Sequence, residues 1–200
     1  EVGLWMFVNA EAIYGVCPWI ITNEGDIWFT RKKGSDTVYA IVTGEPWPWG
    51  EWRELTLRSV RVSPDSEIEI VGQSGEVLEY RPEVRPKTTW RQDEQGLHIR
   101  AMRAQRLYND RRWPNPVVLR ITHAQPGLKP PRVALRNVTR LDETEAEFEA
   151  EVLELGDASQ LALHFEYRPQ KEAAELYEKD FPWQRTVSRT TGSPERIRSR

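Results

Sequence analysis

A chain of 200 residues with 28 Lys and Arg against 31 Asp and Glu is close to neutral, at −3, and shows no basic excess that would favour a nucleic-acid partner. One cysteine, Cys17, excludes an internal disulfide; with His98, His123 and His164 far apart in sequence there is no Cys/His metal set, so no metal or cofactor is expected. Apolar runs fall far short of the ~20 residues of a membrane span, so none is expected, and nine Trp against five Phe suits sugar-processing proteins and β-sandwich cores equally.

Residues 2–15 read as a helix. Val2, Trp5, Val8, Ala12 and Ile13 fall near one face at 3.6 spacing, Gly15 suits the C′ position, and Pro18 stops any continuation. One apolar-faced helix cannot bury itself, so it calls for a partner, either the following sheet or an upstream domain. From Trp19 the period changes to two. Asp26–Arg31, the turn Gly34-Ser35-Asp36, and Thr37–Val42 together predict a hairpin. Strand-like runs follow at Glu54–Val62, Glu67–Val71, Val77–Tyr80, Thr88–Arg91, Gly96–Arg100 and Pro116–Thr122. Many short strands separated by Gly, Pro, Asp and Asn argue for an antiparallel β-sandwich over 19–124.

The run Gln125–Pro131 reads as a stiff Pro-rich linker. Beyond it Ala146, Phe148, Ala150 and Val152 alternate with Glu145, Glu147, Glu149 and Glu151, and Leu161, Leu163, Phe165 and Tyr167 alternate in a second strand after the turn Leu155–Ser159. Residues 132–200 are thus expected to hold a second small β-sandwich ending in a polar tail from 191. About four strands are visible in it, fewer than the ~7 a fibronectin- or immunoglobulin-like sandwich needs, so this module is either minimal or cut short. The acidic run Asp142–Glu154 and the basic run Arg100–Arg112 read as solvated faces.

Two features bear on chemistry. Glu45-Pro46-Trp47-Pro48-Trp49-Gly50-Glu51-Trp52 places Trp47, Trp49 and Trp52 in a loop stiffened by two prolines. Its indoles could stack on a sugar ring or fill a domain interface, the second reading being preferred. Among carboxylates, Glu11 lies on the helix and suits a structural ion pair, Asp26 and Glu51 sit at strand or loop edges, and Asp110 stands in Tyr108-Asn109-Asp110. A sandwich edge offers no buried pocket to hold two carboxyl groups at different pKa values, so no catalytic pair is assigned.

The segment Gly3-Leu4-Trp5-Met6-Phe7-Val8-Asn9-Ala10-Glu11-Ala12-Ile13-Tyr14-Gly15-Val16-Cys17-Pro18-Trp19 resembles a signature of glycoside hydrolase family 29, the α-L-fucosidases, in which the last barrel helix reads approximately G-x-W-[LM]-x-x-N-G-E-[AS]-I-Y-G-T-[RK]-P-W. Ala10 stands where the family has Gly, and Val16 and Cys17 replace Thr and a basic residue. Asp26–Arg31 with Asp36–Val42 resembles the first hairpin of that family's C-terminal sandwich, and Trp90–Asp93 with Gly96–Ile99 a late strand pair. The stretch Ala101–Asn115 is longer than that family's pattern suggests. The resemblance spans residues 1–123. It implies that residues 1–18 are the terminal helix of a catalytic (β/α)8 barrel lying upstream of Glu1, and that Trp5, Asn9, Glu11, Tyr14, Gly15 and Trp19 are structural signature positions. It further implies that the parent enzyme removes terminal α-L-fucose from fucosylated glycans with retention, through a carboxylate pair about 5–5.5 Å apart. No position matches the family's nucleophile motif, so none is carried over. Asn137-Val138-Thr139, the strand to Val152, Leu155–Ser159 and Phe165-Glu166-Tyr167 resemble a fibronectin type III-like repeat behind bacterial secreted enzymes, which suggests export, to an extracellular or periplasmic location, although no signal peptide is visible. The alternatives are a non-catalytic carbohydrate-binding module and a structural spacer.

Overall fold

The computed structural model describes residues 2–73, 77–78, 81–104, 116–141, 145–168 and 183–199. The chain divides into two compact units, Glu1–Leu128 and Lys129–Arg200, and both are built from antiparallel strands.

In the first unit, helix α1 (Val2–Val8) leads through a tight 3-10 turn at Ala10–Ala12 into β1 (Val16–Glu24). The helix predicted over 2–15 therefore ends at Val8. Asn9 closes its last turn, giving both its backbone N–H (2.9 Å) and its side-chain amide (3.0 Å) to the Trp5 carbonyl. The next bond, from Ala12 N–H, reaches back only three residues to Asn9, which tightens the spiral and ends it. Gly15, at φ +68°, is the entry to β1 rather than a helix cap. Pro18 lies inside β1, which is tolerable because β1 is an edge strand, and the pairing with β2 slips between Pro18 and Asn23.

β2 (Ile27–Lys32) and β3 (Val38–Val42) form the predicted hairpin. The preceding turn is Gly25-Asp26, with positive φ only at Gly25, the pattern of a two-residue type II′ connection. The run predicted as one strand over 54–62 is two, β4 (Trp52–Leu57) and β5 (Val60–Val62). The break falls where the backbone N–H groups of Arg58 and Ser59 both donate to the Glu24 carboxylate, at 2.8 Å each. β6 (Ile68–Ile70), β7 (Thr89–Asp93), β8 (Gly96–Met102) and β9 (Val117–Ile121) lie where the sequence predicts strands. In the expected 77–80 strand, Leu78 makes only an isolated bridge to Arg81, and 79–80 lie outside the described residues. Gln125 and Pro126, read from sequence as the start of a linker, belong to β10 (Ala124–Pro126) and pair with Arg61 and Val60.

These strands make a five-stranded sheet, β1-β2-β3-β9-β6, and a three-stranded sheet, β4-β8-β7. One apolar cluster joins their facing sides, with Phe29, Val38, Ala40, Leu119 and Ile121 from the first sheet against Leu57, Leu97, Ile99 and Ala101 from the second. That is a β-sandwich. The outer face of the five-stranded sheet is also apolar at its centre, where Tyr39, Val118 and Val71 pack with Ala12, and with Trp5, Val16 and Ile41 beside them. The segment around α1 therefore covers this sheet from outside.

In the second unit, β11 (Arg132–Arg140), β12 (Ala146–Glu154) and β17 (Arg196–Ser199) form one sheet in the order β11-β12-β17. β13 (Leu161–Leu163) pairs with β16 (Arg189–Thr191), and β14 (Glu166–Tyr167) with β15 (Gln184–Arg185), so these four form an interrupted ribbon. Phe165 and Tyr167 from the ribbon pack on Phe148 of β12, each with ring centroids 5.3 Å apart. The polar tail expected from 191 is instead structural. β17 pairs with Phe148–Glu151 and buries Ile197, and Thr191 is buried in β16. Seven short strands thus stand where four were legible. The acidic run is not freely solvated either: Glu149, Glu151 and Glu154 pair with Arg198, Arg136 and Arg132 respectively, while 142–144 lie outside the described residues.

Candidate functional site

The signature segment is divided between the two faces of the five-stranded sheet. On the outer face the Trp5 indole N–H donates to the Pro116 carbonyl (2.8 Å), tying α1 to the entry of β9. Asn9 is buried beneath it. Glu11 accepts from the Tyr39 hydroxyl (3.0 Å) and pairs with Arg120 (3.4 Å), whose other nitrogen bonds Glu69. Tyr39, Arg120 and Glu69 are aligned across β3, β9 and β6 by the strand register. Burial and the Glu11 hydrogen bond push the Tyr39 phenol up to about 12. Tyr14 is exposed, and Gly15 is held to the β2–β3 turn by a bond from Lys33 N–H to its carbonyl (3.0 Å). Trp19 lies on the opposite face, buried in the sandwich core with its N–H on the Ser59 carbonyl (3.2 Å).

Sequence reasoning found Glu11 but not Tyr39, Arg120 or Glu69. The available signal was a tyrosine and an arginine each interrupting an apolar strand, Val38–Val42 and Val117–Ile121, whose flanking residues face the core. The arrangement is an ion-pair network. The Arg120 guanidinium contacts both Glu11 and Glu69 and fills the space between them, where a reacting atom would have to sit for the two carboxylates to act as an acid and a nucleophile.

The Trp-rich loop is held down. Trp47 is only 2% exposed, in the core, with its N–H on the Glu51 carbonyl (2.9 Å). Trp49 donates to the Ala104 carbonyl (3.0 Å), and Trp49 and Trp52 pack against Leu78, Met102 and Ala104. Two arginines that the sequence reading did not single out for this loop pin it: Arg53 donates to the Glu45 and Pro46 carbonyls and lies over the Trp47 ring, and Arg103 donates to the Trp47 carbonyl (2.9 Å). Trp47 therefore has no open indole face to stack on a sugar, while Trp49 and Trp52 are partly exposed. Asp26 and Glu51 remain at turns, and Asp110, like 105–115 generally, lies outside the described residues.

His98 bonds Thr56 and Asp93, His123 pairs with Asp36, and His164 with Glu166. No group of three or more His, Cys, Asp or Glu placed to hold a metal is found among the described residues, and no described helix is long and apolar enough to cross a membrane. A hollow of about 760 Å³ is open to solvent beside Trp19, Arg31 and Pro126, with the Asp36 carboxylate among its lining.

No family model matches the chain. Curated relatives do. An α-L-fucosidase of Branchiostoma floridae is 38% identical over 75 residues, 36% of this chain and 15% of that protein. One of Dictyostelium discoideum is 42% identical over 43 residues, 21% of this chain and 9% of that protein. The tissue α-L-fucosidase of Rattus norvegicus is 32% identical over 79 residues, 38% of this chain and 16% of that protein. The chain contains a fucosidase-related region. The matches span about one sixth or less of these relatives' lengths.

Proposed function

We propose that this chain is the C-terminal region of an exo-α-L-fucosidase of glycoside hydrolase family 29, and that its first unit supports a catalytic barrel encoded upstream. In this reading the barrel carries the nucleophile and the acid/base and performs retaining hydrolysis of terminal α-L-fucose. The residues here set the position of its last helix.

The supporting observation is the two-sided character of α1. One side is fixed to the sandwich through Trp5, Asn9 and the Glu11–Arg120–Glu69 network. The other presents Phe7, 80% exposed, with Leu4 one turn before it, and Val2 at the start of the helix is 77% exposed as well. Apolar side chains at that exposure on so short a helix call for a covering surface. A barrel whose terminal helix is α1 would supply it. The burial of Trp47 supports a structural rather than a ligand-stacking role for the Trp-rich loop. The second unit, read as a fibronectin type III-like module, is assigned the role of a spacer.

The test is the full-length enzyme, cloned with its upstream coding sequence and assayed on 4-nitrophenyl α-L-fucoside. Phe7→Asp should lower the melting temperature and the active fraction while leaving KM of the surviving enzyme unchanged. An upstream sequence without βα repeats, or a Phe7→Asp enzyme of unaltered stability, would overturn the reading.

A further inference from the structure

The sheet β4-β8-β7 has a polar outer face whose residues are in strict register. Glu54, Arg100 and Thr89 are aligned in one row, and Thr56, His98 and Arg91 in the next but one. The row between them, Leu55–Ile99–Trp90, turns its side chains into the sandwich core. Because side chains alternate across a strand, the six polar residues stand on the opposite face as two parallel walls, and the backbone of the middle row is the floor. The cup so formed has a volume of about 230 Å³.

The two walls are differently prepared. Thr56, His98 and Arg91 are already fixed. The His98 ring is bonded on both nitrogens, to Thr56 Oγ1 (3.1 Å) and Asp93 Oδ1 (2.8 Å), and Arg91 pairs with the other Asp93 oxygen. In the other wall the Arg100 guanidinium lies over the Trp52 ring, 3.8 Å from its centroid, and makes no ion pair among the described residues. Glu54 stands directly opposite Arg100 across the strand pair, yet the two form neither a salt bridge nor a hydrogen bond. Arg100, the Glu54 carboxylate and the Thr89 hydroxyl therefore border one small space, with no ion pair closing Arg100 onto Glu54. Pre-ordered side chains lose little entropy on binding.

We infer that this cup is a binding site for one pyranose unit bearing vicinal hydroxyls. One hydroxyl donates to Glu54 and its neighbour accepts from Arg100, so the sugar bridges two groups that do not reach each other. The opposite wall supplies further donors from the remaining N–H groups of the Arg91 guanidinium. The volume lies below the ~300 Å³ at which pockets for drug-sized ligands begin, so the site takes a single ring rather than a chain. It is a binding site with no catalytic part. The choice of sugar as ligand class rests on the proposed fucosidase reading, but the site itself does not, since it lies wholly on one sheet of the first unit.

The experiment is a titration of the ¹⁵N-labelled 200-residue chain with L-fucose, D-galactose and, as a control without the ring, glycerol. Saturable shifts of the Thr56, Thr89, His98 and Arg100 amides are expected with at least one sugar and not with glycerol. Glu54→Gln and Arg100→Ala should each weaken that sugar at least tenfold. Glu54→Gln is isosteric and makes no contact whose loss would disturb the fold, so its result stands even if Arg100→Ala disturbs Trp52. No saturable shift on this face with either sugar, shifts matched by glycerol, or unchanged affinity in Glu54→Gln would overturn the assignment. That failure would leave the activity and stability tests of the full-length enzyme untouched.

Discussion

Strand β9 in the first unit and strand β11 in the second both carry branched apolar residues at alternate positions. Leu119 in β9 is fully buried, with the five-stranded sheet on either side and β8 across the core, whereas Leu135 in β11 is 66% exposed, and Val133 and Val138 beside it are exposed as well. Alternation decides that a strand forms and which side is apolar. It does not decide that anything covers that side. In the first unit two sheets close on one core. In the second, aromatic packing from Phe165 and Tyr167 reaches Phe148 on β12, while β11 keeps its apolar row in the open.

The sharpest way to break this contrast is to truncate the matched leucines. Leu119→Ala leaves a cavity in a closed core and should cost about 2–5 kcal/mol. Leu135→Ala removes atoms already in water and should stay within about 0.5 kcal/mol. Urea unfolding followed by tryptophan fluorescence reads both. Equal costs would mean that β11 is covered in solution and that the contrast is false.

A second comparison concerns backbone approach. A Cβ at Gly127 would overlap the Arg58 carbonyl oxygen, because β10 and β5 run together there and Gly127 N–H bonds the Ser59 carbonyl (2.8 Å). At Gly192, in the second unit, the nearest atom to such a Cβ is 3.5 Å away, and φ is ordinary. Gly127→Ala should destabilise by roughly 1–3 kcal/mol through overpacking, and Gly192→Ala by nearly nothing. A melting curve for each variant checks the pair.

The same contrast explains what was legible. The hairpin β2–β3 and strand β9 could be placed from sequence because a turn with Gly34 and clear apolar runs bracket them. The end of α1 could not, since Asn9 stops the helix through its own side-chain bond, in a stretch whose apolar spacing continues to Ile13. β17 was invisible because Arg196 and Arg198 face the acidic side of β12 and only Ile197 points inward. One apolar residue carries no periodicity. For the candidate site, the composition of the signature marked Glu11, but its partners Tyr39, Arg120 and Glu69 are 28, 109 and 58 positions away and meet it only through the sheet register. The cup on β4-β8-β7 had no sequence signal, since its residues read as the ordinary polar side of three strands.

The Glu11 network predicts a pH effect confined to the first unit. Tyr39 is raised above its unfolded value of about 10 to about 12 by burial and by Glu11. The folded state therefore holds the phenolic proton more tightly, and this contribution to stability is complete below pH ~10 and lost as pH rises through about 12. Followed at 295 nm, Tyr39 should ionise above the ordinary tyrosine range. Glu11→Gln removes the adjacent charge and should lower its midpoint. An unchanged midpoint would mean that burial alone sets it.

The smallest effect distinguishes two exposed carboxylates by what holds them. Asp93, in the first unit, is lowered to about 2, with the His98 hydrogen bond the largest cause, then Arg91 and the Gln95 backbone N–H. Glu154, in the second, is lowered by Lys129 and then Arg132, both exposed cations at the surface. For each, the stabilisation is present above the unfolded carboxylate range near pH 4 and is lost as pH falls through the folded value. Salt should separate them. Pairing with exposed cations is screened within ~3 Å at 1 M ionic strength, whereas a bond from a half-buried imidazole already fixed by Thr56 depends on geometry. Raising NaCl from 0.05 to about 1 M should therefore move the Glu154 midpoint, read by carboxyl ¹³C shifts, toward its unfolded value while Asp93 moves little. His98→Gln should reverse that order by raising Asp93 at low salt. If both carboxylates respond equally to salt, the His98 bond does not persist in solution, and the fixed wall on this sheet face is no more ordered than the ion pairs of the second unit.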